Sequence, residues 1–481
     1  MTSTGTSAGD PDRAVGGDPR RSVSRINLLI AATAATIGLI YGYDLGSIAA
    51  AILFLQPDFG LSDTFVGILT AAVVLGQLVG AFFGGRIANA IGRRRAVIYV
   101  AIGYAAFAAM QGLAPDPYTL TAARFLLGLA IGVSIIAAPA FIAESAPVRI
   151  RGSMLVGFQI ATTSGIVIAY GVGVLLAPSE SWRLILSLSA IPALLVLALL
   201  RRLPDTPRWY LMAGRREDAL RTLRMTDPDQ DAEEEARVIE RDLRHEERGS
   251  FSELFQGHFR KAAVFVIGLG FFVQITGINA IVYYSPTIFQ RVGVESPTNA
   301  ILVAGLIQLA GVAAEVCAFL VVDRWGRRPT LLSGISVMIA ANGILIFAFS
   351  SGPSAVLAFV GILLFTVGFS FGYGSLVWVY ASESFPSRLR TQGASAMLTA
   401  DLFANFLIGV LFPNALGALG GSVTFGIFLV LSVVALVFIY RLAPETKGRQ
   451  LEDIRAYWYN GGRWPDRSDG VAPDSRRPAP A

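Results

Sequence analysis

Hydrophobic positions in this chain come in long unbroken blocks, with neither the alternation of a strand nor the one-sided stripe of a soluble helix. The stretches Phe65 to Gly84, Ala96 to Leu113, Phe265 to Ile281 and Thr424 to Tyr440 carry no charged side chain. A helix needs about 20 such residues to cross the hydrocarbon core of a bilayer. The pattern predicts twelve spans, over residues 26–52, 64–88, 96–114, 118–142, 154–177 and 182–201, then 261–290, 298–322, 329–350, 354–381, 393–415 and 421–442. The expected fold class is therefore an all-α membrane protein. Residues 1–25 form a Gly/Asp/Arg-rich N-terminus expected to be disordered. Residues 26–201 form a first six-helix half, 202–260 a charged linker, 261–442 a second half, and 443–481 a tail disordered at its end.

The segment from Asp205 to Arg260 is highly charged, and Glu233 to Arg248 reads as short amphipathic helices lying on one membrane face. About 55 residues with so few apolar positions build too little core for an independent soluble domain. Arg20-Arg21 ahead of the first span resembles an export signal. No cleavage site follows, so a basic anchor for the first helix is the simpler reading.

Composition agrees with the pattern. Of 481 residues, 54% are hydrophobic and only 15% charged, and mean hydropathy is +0.58. Soluble domains carry about 25% charged residues, so a soluble enzyme is excluded. The net charge of +5 is informative by position rather than by sum, and no nucleic-acid partner is expected. Arg93-Arg94-Arg95, Arg149/Arg151, Arg327-Arg328 and Arg388/Arg390 follow spans 2, 4, 8 and 10. The opposite loops hold Asp58, Asp63, Asp116 and Glu180, with Arg291 the main exception. The positive-inside rule then makes both termini and the linker cytoplasmic, in a plasma or inner cell membrane. The lone cysteine, Cys317, excludes an internal disulfide. His245 and His258 have no metal-ligand spacing, and no nucleophile constellation or phosphate loop occurs. Neither a metal nor a cofactor is expected, and proton chemistry within the membrane is left to carboxylates.

The chain also repeats itself. Ala143-Glu144-Ser145-Ala146-Pro147-Val148-Arg149-Ile150-Arg151 returns as Ser382-Glu383-Ser384-Phe385-Pro386-Ser387-Arg388-Leu389-Arg390, an offset of 239 residues. Gly92-Arg93-Arg94 returns as Gly326-Arg327-Arg328 and Pro204-Asp205-Thr206 as Pro444-Glu445-Thr446, at offsets of 234 and 240. Each sits at the same place within a six-helix half, which implies duplication. Parallel halves related by an axis along the membrane normal are a transporter design, with the substrate near the midplane between them.

Arg86, Arg93, Arg94, Arg149, Arg151, Arg327, Arg328, Arg388 and Arg390 gather at the expected cytoplasmic face with Glu144 and Glu383. Pairs among them can latch an inner gate shut and part when it opens. The plainer alternative is that the arginines only enforce topology.

At this point a family resemblance becomes specific. From about residue 26 to 460 the chain resembles the sugar porters of the major facilitator superfamily. It does so through Tyr41-Gly42-Tyr43-Asp44, Gly84-Gly85-Arg86 with Gly92-Arg93-Arg94, Arg124 with Gly128 and Gly132, and Pro139 through Glu144 to Arg151-Gly152. Further matches are Pro204-Asp205-Thr206-Pro207-Arg208-Trp209, Gln274-Ile275-Thr276-Gly277-Ile278-Asn279 with Tyr283-Tyr284, Asp323-Arg324-Trp325-Gly326-Arg327-Arg328 and Pro444-Glu445-Thr446-Lys447-Gly448-Arg449. The resemblance implies an alternating-access carrier of a monosaccharide or polyol, for which a monomer suffices. It also implies a cytoplasmic helical bundle in the linker. Asn89 departs from the Asp common in the superfamily loop.

Asp44 lies about 8 residues, ~12 Å, from the predicted outer end of span 1, and Arg124 about 6 residues, ~9 Å, from that of span 4. Both belong at similar depth. A charge at the bilayer centre costs about 2.5–3.5 kcal/mol, so each is expected to face inward and find a partner. A permanent structural pair is one reading. Within the family, an Asp at this position resembles the proton-coupled members, so the pair is the expected proton-coupling element.

Sugar hydroxyls lose water on binding and must be re-paired by neutral donors and acceptors, with an aromatic face beside them. Gln159, Gln274, Asn279, Trp378 and Asn405 match polar or aromatic site positions of the family, and Tyr283 and Tyr284 are placed as an outer lid. Helix-packing amides are the alternative for any one of them. Val273 replaces the first of two glutamines usual on span 7, Gly311 replaces an asparagine usual on span 8, and Asp401-Leu402 replaces a neutral polar residue often followed by tryptophan. Glu315 stands four residues after Gly311, on the same helix face. The carboxylates leave two substrates open, a neutral sugar or polyol, which the family favours, and an aminosugar or other organic cation. Functional alternatives to proton symport are facilitated diffusion, efflux of a cationic solute by antiport, and a sensor built on a transporter fold.

Overall fold

A computed structural model describes residues 25–464 except 229, 246–249, 258, 353 and 450. The expectations for residues 1–24 and 465–481, Arg20-Arg21 included, lie outside the described residues. Among those described, every regular element is helical. Spans 1 to 5 are α1 (Arg25–Phe59), α2 (Asp63–Ile91), α3 (Arg93–Gly112), α4 (Pro117–Ser145) and α5 (Val148–Leu176). Span 6 is split into α6 (Trp182–Ser187) and α7 (Ala190–Leu200). The linker holds α8 (Pro207–Met212), α9 (Arg216–Thr226) and α10 (Ala232–His245). Span 7 is α11 (Phe259–Ile275) and α12 (Ile278–Arg291), followed by α13 (Pro297–Trp325) and α14 (Arg327–Ser350). Span 10 is α15 (Ala355–Phe369) and α16 (Ser375–Glu383), and α17 (Ser387–Ala418), α18 (Gly420–Leu442) and α19 (Leu451–Tyr459) complete the order.

Eleven of the predicted spans are long and apolar enough to cross a bilayer. The remaining one, α3, opens on three arginines and is less apolar over its 20 residues. Hydropathy misplaces several ends for one reason: it detects apolar side chains, whereas helical hydrogen bonding continues through polar ones. Thus α1 runs on to Phe59 through Gln56-Pro57-Asp58, which places Asp44 fifteen residues before its end and not eight. Likewise α5 starts at Val148 and α17 at Ser387. The basic clusters expected in loops therefore lie on the first turns of α3, α5, α14 and α17. Span 7 is interrupted at Gly277, whose φ of +108° suits glycine. Span 10 is interrupted by one π-helical turn, Ser370–Gly374.

Packing repeats between the halves. In the first half α1 lies on α5 and α2 on α4, and in the second α11 lies on α17 and α13 on α15. The halves meet through α2 against α17 and α5 against α13. These two contacts exchange under the repeat, as a pseudo-twofold requires. Lipid is as apolar as leucine, so helices in a membrane associate by close packing of small residues. A methyl group at Gly42 on α1 would sit 1.7 Å from the Thr162 carbonyl oxygen of α5, and one at Gly128 on α4 would sit 2.1 Å from the Val73 oxygen of α2. Large apolar residues such as Phe82 and Val430 are instead exposed on the outer surface.

Polar caps set the helix starts. Asp116 accepts from the backbone N–H groups of Tyr118 and Thr119 ahead of α4. The hydrogen bonds from Thr119 hold its carboxyl below the usual range. In the linker, Leu220 and Leu223 of α9 pack on Ala232 and Ala236 of α10, and Arg216 pairs with Glu233 at 2.6 Å. The linker is thus a small helical cluster. Asn27 Nδ2 of α1 donates to the Thr226 carbonyl at 3.1 Å, and Lys261 of α11 to that of Gly461. Linker and both described chain ends therefore share one end of the molecule, the linker end.

Gly92 and Gly326 join α2 to α3 and α13 to α14 at φ of +101° and +110°. A Cβ at Gly92 would lie 2.2 Å from Asp205 Oδ2. Gly92→Ala is expected to cost about 1–3 kcal/mol and to lower the apparent melting temperature of the detergent-solubilised protein by several degrees. Gly343→Ala, where nothing lies within 4 Å, is expected to leave it unchanged or raise it.

Candidate transport site

A cavity of about 170 Å³ lies between the halves. The broken helices supply much of its wall, because backbone can depart from the α-helix at membrane depth only where it lines such a space. Gln274 and Asn279 stand on either side of the Gly277 break, and Trp378 follows the π-turn of span 10; all three line the cavity. Gln159 on α5, Glu315 on α13 and Asp401 on α17 complete the expected residues found there. Trp378 is 45% exposed, leaving a ring face free. Two departures from the family pattern, Val273 and Leu402, also line the wall. At the third, a methyl group on Gly311 would touch Thr366 and Ser370 at 3.0 and 3.2 Å.

Tyr283, Tyr284 and Asn405 are outside this lining and buried beyond it, towards the end opposite the linker. The Tyr283 hydroxyl and Asn405 side chain meet at 3.5 Å. Tyr284 donates to the Gly409 carbonyl at 3.0 Å and its ring stacks on Phe412 at 5.3 Å. The two tyrosines form a plug between the cavity and the far end.

Asp44 sits one turn beyond Tyr41, which lines the cavity from α1. Its Oδ1 is 3.7 Å from Arg124 Nη1, with the arginine side chain 0% exposed. Arg124 also donates from Nε to the Leu69 carbonyl at 3.0 Å and from Nη1 to Gln111 Oε1 at 3.4 Å. Asp44 Oδ2 and Arg124 Nη2 are both buried without a hydrogen-bond partner. The pair is thus desolvated yet loosely joined, the carboxylate keeping one oxygen free for a proton.

Around this site the far end is closed by contacts between halves. Thr64 Oγ1 donates to Asn414 Oδ1 at 2.6 Å, and Tyr170 donates from α5 to the Val282 carbonyl at 2.7 Å. Arg291, the exception to the loop-charge pattern, pairs with Asp63 of the first half at 3.2 Å. Each polar contact of this kind contributes about 0.6 kcal/mol in membranes.

Comparison with known proteins agrees with this geometry. The profile of the family described as "Sugar (and other) transporter" matches residues 30–458. The chain is 34% identical over 439 residues to the galactose-proton symporter of Escherichia coli (strain K12), covering 90% of this chain and 95% of that protein. The chain belongs to the sugar transporter family. It is 33% identical over 444 residues to the arabinose-proton symporter of Bacillus subtilis (strain 168), with coverage of 90% and 95%. Its structure is similar to the partially occluded inward-open xylose transporter XylE from E. coli, with TM-score 0.78, 26% identity, and coverage of 89% and 100%. The twelve-helix arrangement is the major facilitator fold, and the protein is a multi-pass membrane transporter, not an enzyme.

At the linker end, this sugar transporter carries two matching polar clusters. In the first half Arg93 pairs with Glu144 at 3.0 Å, and Thr206 donates to Glu144 at 2.6 Å. Arg94 turns away from Glu144 and donates to the Leu200 carbonyl at 2.9 Å. In the second half Arg328 donates to the Tyr440 carbonyl at 2.6 Å, the counterpart of that bond at the repeat offsets of 234 and 240 residues. Arg327 pairs with Asp323 at 3.1 Å rather than with Glu383, whose Oε2 is buried without a partner. Arg390 is half-buried, and exposed Arg86 lies over the Phe82 ring at 5.7 Å. The side chains of Arg149, Arg151 and Arg388 lie outside the described residues. Each described ion pair at this end joins residues of one half or of the linker.

Several site residues escape sequence reading. Asp205 Oδ1 accepts from the Arg94 backbone N–H at 3.2 Å, and Glu445 from those of Arg327 and Arg328 at 3.1 Å. These two carboxylates fasten the turns that carry the arginines. Their recurrence in the repeat was the available signal. Thr163 donates to Glu315 Oε2 at 2.7 Å across the halves, and Gln308 also lines the cavity. Gln308 lies seven residues before Glu315 on one apolar helix, a spacing that puts them on one face.

The closed far end is testable directly. In a variant lacking Cys317, the substitutions Thr64→Cys and Asn414→Cys are expected to crosslink under mild oxidation. Solute uptake into proteoliposomes should then fall at least tenfold and return on reduction.

Proposed function

We propose that this protein moves a monosaccharide or polyol together with a proton across the cell membrane by alternating exposure of the central cavity. The observation that carries this reading is the loose, fully buried Asp44–Arg124 pair beside that cavity. Protonating Asp44 removes its charge and hence its attraction to Arg124, leaving the guanidinium to the Leu69 carbonyl and Gln111. Separation of the pair exposes the carboxylate to a new environment and changes its hold on the proton. Gln159, Gln274, Asn279 and Trp378 hold the solute, and Tyr283, Tyr284 and Asn405 sense it and close the far side. The sugar-proton symport named for the galactose and arabinose relatives supports this assignment.

The arginine-rich turns support a cytoplasmic linker and cytoplasmic termini in a plasma or inner membrane. The far end is then the outside, and the structure faces inward. In the outward-facing state the linker-end clusters, Glu144 and Glu383 included, hold the two halves together. One chain contains the whole path, so a monomer suffices.

The reading is tested with purified protein in liposomes, recording internal pH while neutral sugars and polyols are added outside. Sugar-dependent acidification is expected, and Asp44→Asn should reduce it at least tenfold while sugar exchange continues. Sugar uptake without proton movement in the wild type would leave a facilitator with a structural ion pair.

A further inference from the structure

Two carboxylates face the cavity, and among the described residues no Lys, Arg or His lines it. Glu315 is 2% exposed. Thr163 satisfies its Oε2 at 2.7 Å, and Gln159 stands beside it, but Oε1 is buried without a hydrogen-bond partner. Asp401 accepts from Gln274 Nε2 at 3.0 Å, and Gln274 Oε1 accepts from Asn279 Nδ2 at 2.7 Å. This relay turns amide donors towards Asp401 and away from the solute. The nearby guanidinium of Arg124 is already engaged by Asp44, the Leu69 carbonyl and Gln111.

Two acidic side chains in a wall without a cationic one favour a solute that brings positive charge. An ionised carboxylate only accepts, and each sugar hydroxyl brings one donor, whereas an ammonium brings three donors and a full positive charge. Burying two ionised carboxylates at membrane depth is costly unless a cation or a proton accompanies them.

We propose that the site selects a small polyhydroxylated amine, an aminosugar or aminocyclitol. Its ammonium group is balanced by the two negative charges of the cavity, Glu315 and Asp401. Its hydroxyls meet the remaining amides and the Trp378 ring. This inference rests on the reading of the chain as a sugar symporter and narrows its substrate.

Equilibrium binding to the purified wild-type protein in nanodiscs tests it, with D-glucosamine and D-galactosamine against D-glucose, D-galactose and N-acetyl-D-glucosamine. At about pH 6.5, where such amines are protonated, the two amines are expected to bind at least tenfold tighter than their neutral counterparts. Acetylation should remove the advantage. Glu315→Gln should weaken amine binding at least tenfold more than neutral-sugar binding, and Asp401→Asn provides a second variant should the first fail to fold. Equal or weaker binding of the amines by the wild type, or binding of none of the five probes, overturns the proposal without any variant. Acidification with neutral sugars but no amine preference would leave symport standing and the inference refuted. Amine preference without any solute-driven proton entry would do the reverse.

Discussion

The close approach of α1 to α5 and of α2 to α4 is the constraint on which the site depends. Glycine faces a carbonyl on the neighbouring helix at Gly42 and Gly128, and neither position admits even a methyl group. Helix axes brought this near leave side chains little room to move. Arg124 can then reach the Leu69 carbonyl of α2 and Asp44 of α1 from a single position on α4. Were the helices spaced by larger residues, the same two charges would be stranded in hydrocarbon at a cost of about 2.5–3.5 kcal/mol each. Packing by the smallest residues is what allows the most polar ones.

The two kinds of contact divide the labour of transport. Within a half, helices interlock backbone against backbone and behave as a solid. Between halves at the far end, hydrogen bonds and one half-exposed ion pair add to packing such as that of Gly67 on α2 against the Val410 carbonyl of α17. A structure built of two such halves changes shape by tilting one against the other. The broken helices sit at that joint. The Gly277 break and the π-turn at Ser370–Gly374 put amides and an aromatic ring where continuous helices would present only apolar faces.

Much of this was legible in the sequence, and what was not has identifiable causes. The spans could be read because apolar transfer into lipid is the dominant local signal, and Asp44 and Arg124 because a charge in such a span is rare. Glu144 could be matched to an arginine, yet choosing Arg93 over Arg94 requires the rotation of α3, which no charge pattern encodes. Asp205 and Glu445 looked like ordinary loop acids, since backbone capping leaves no mark beyond repetition. Thr163 was hidden among small residues usual in any membrane helix. The far end of α1 was lost because Gln56-Pro57-Asp58 is helical without being apolar.

The fastening of the turn after Gly92 by Asp205, repeated after Gly326 by Glu445, bears on how the molecule is made. The polypeptide leaving each half is tied back to a turn already laid down in that half. During synthesis the first half can therefore be locked as soon as Asp205 and Thr206 emerge, before any of the second half exists. A six-helix half that carries its own clasp is a self-sufficient building block. Such a block can be copied whole by gene duplication, each copy arriving already able to close on itself.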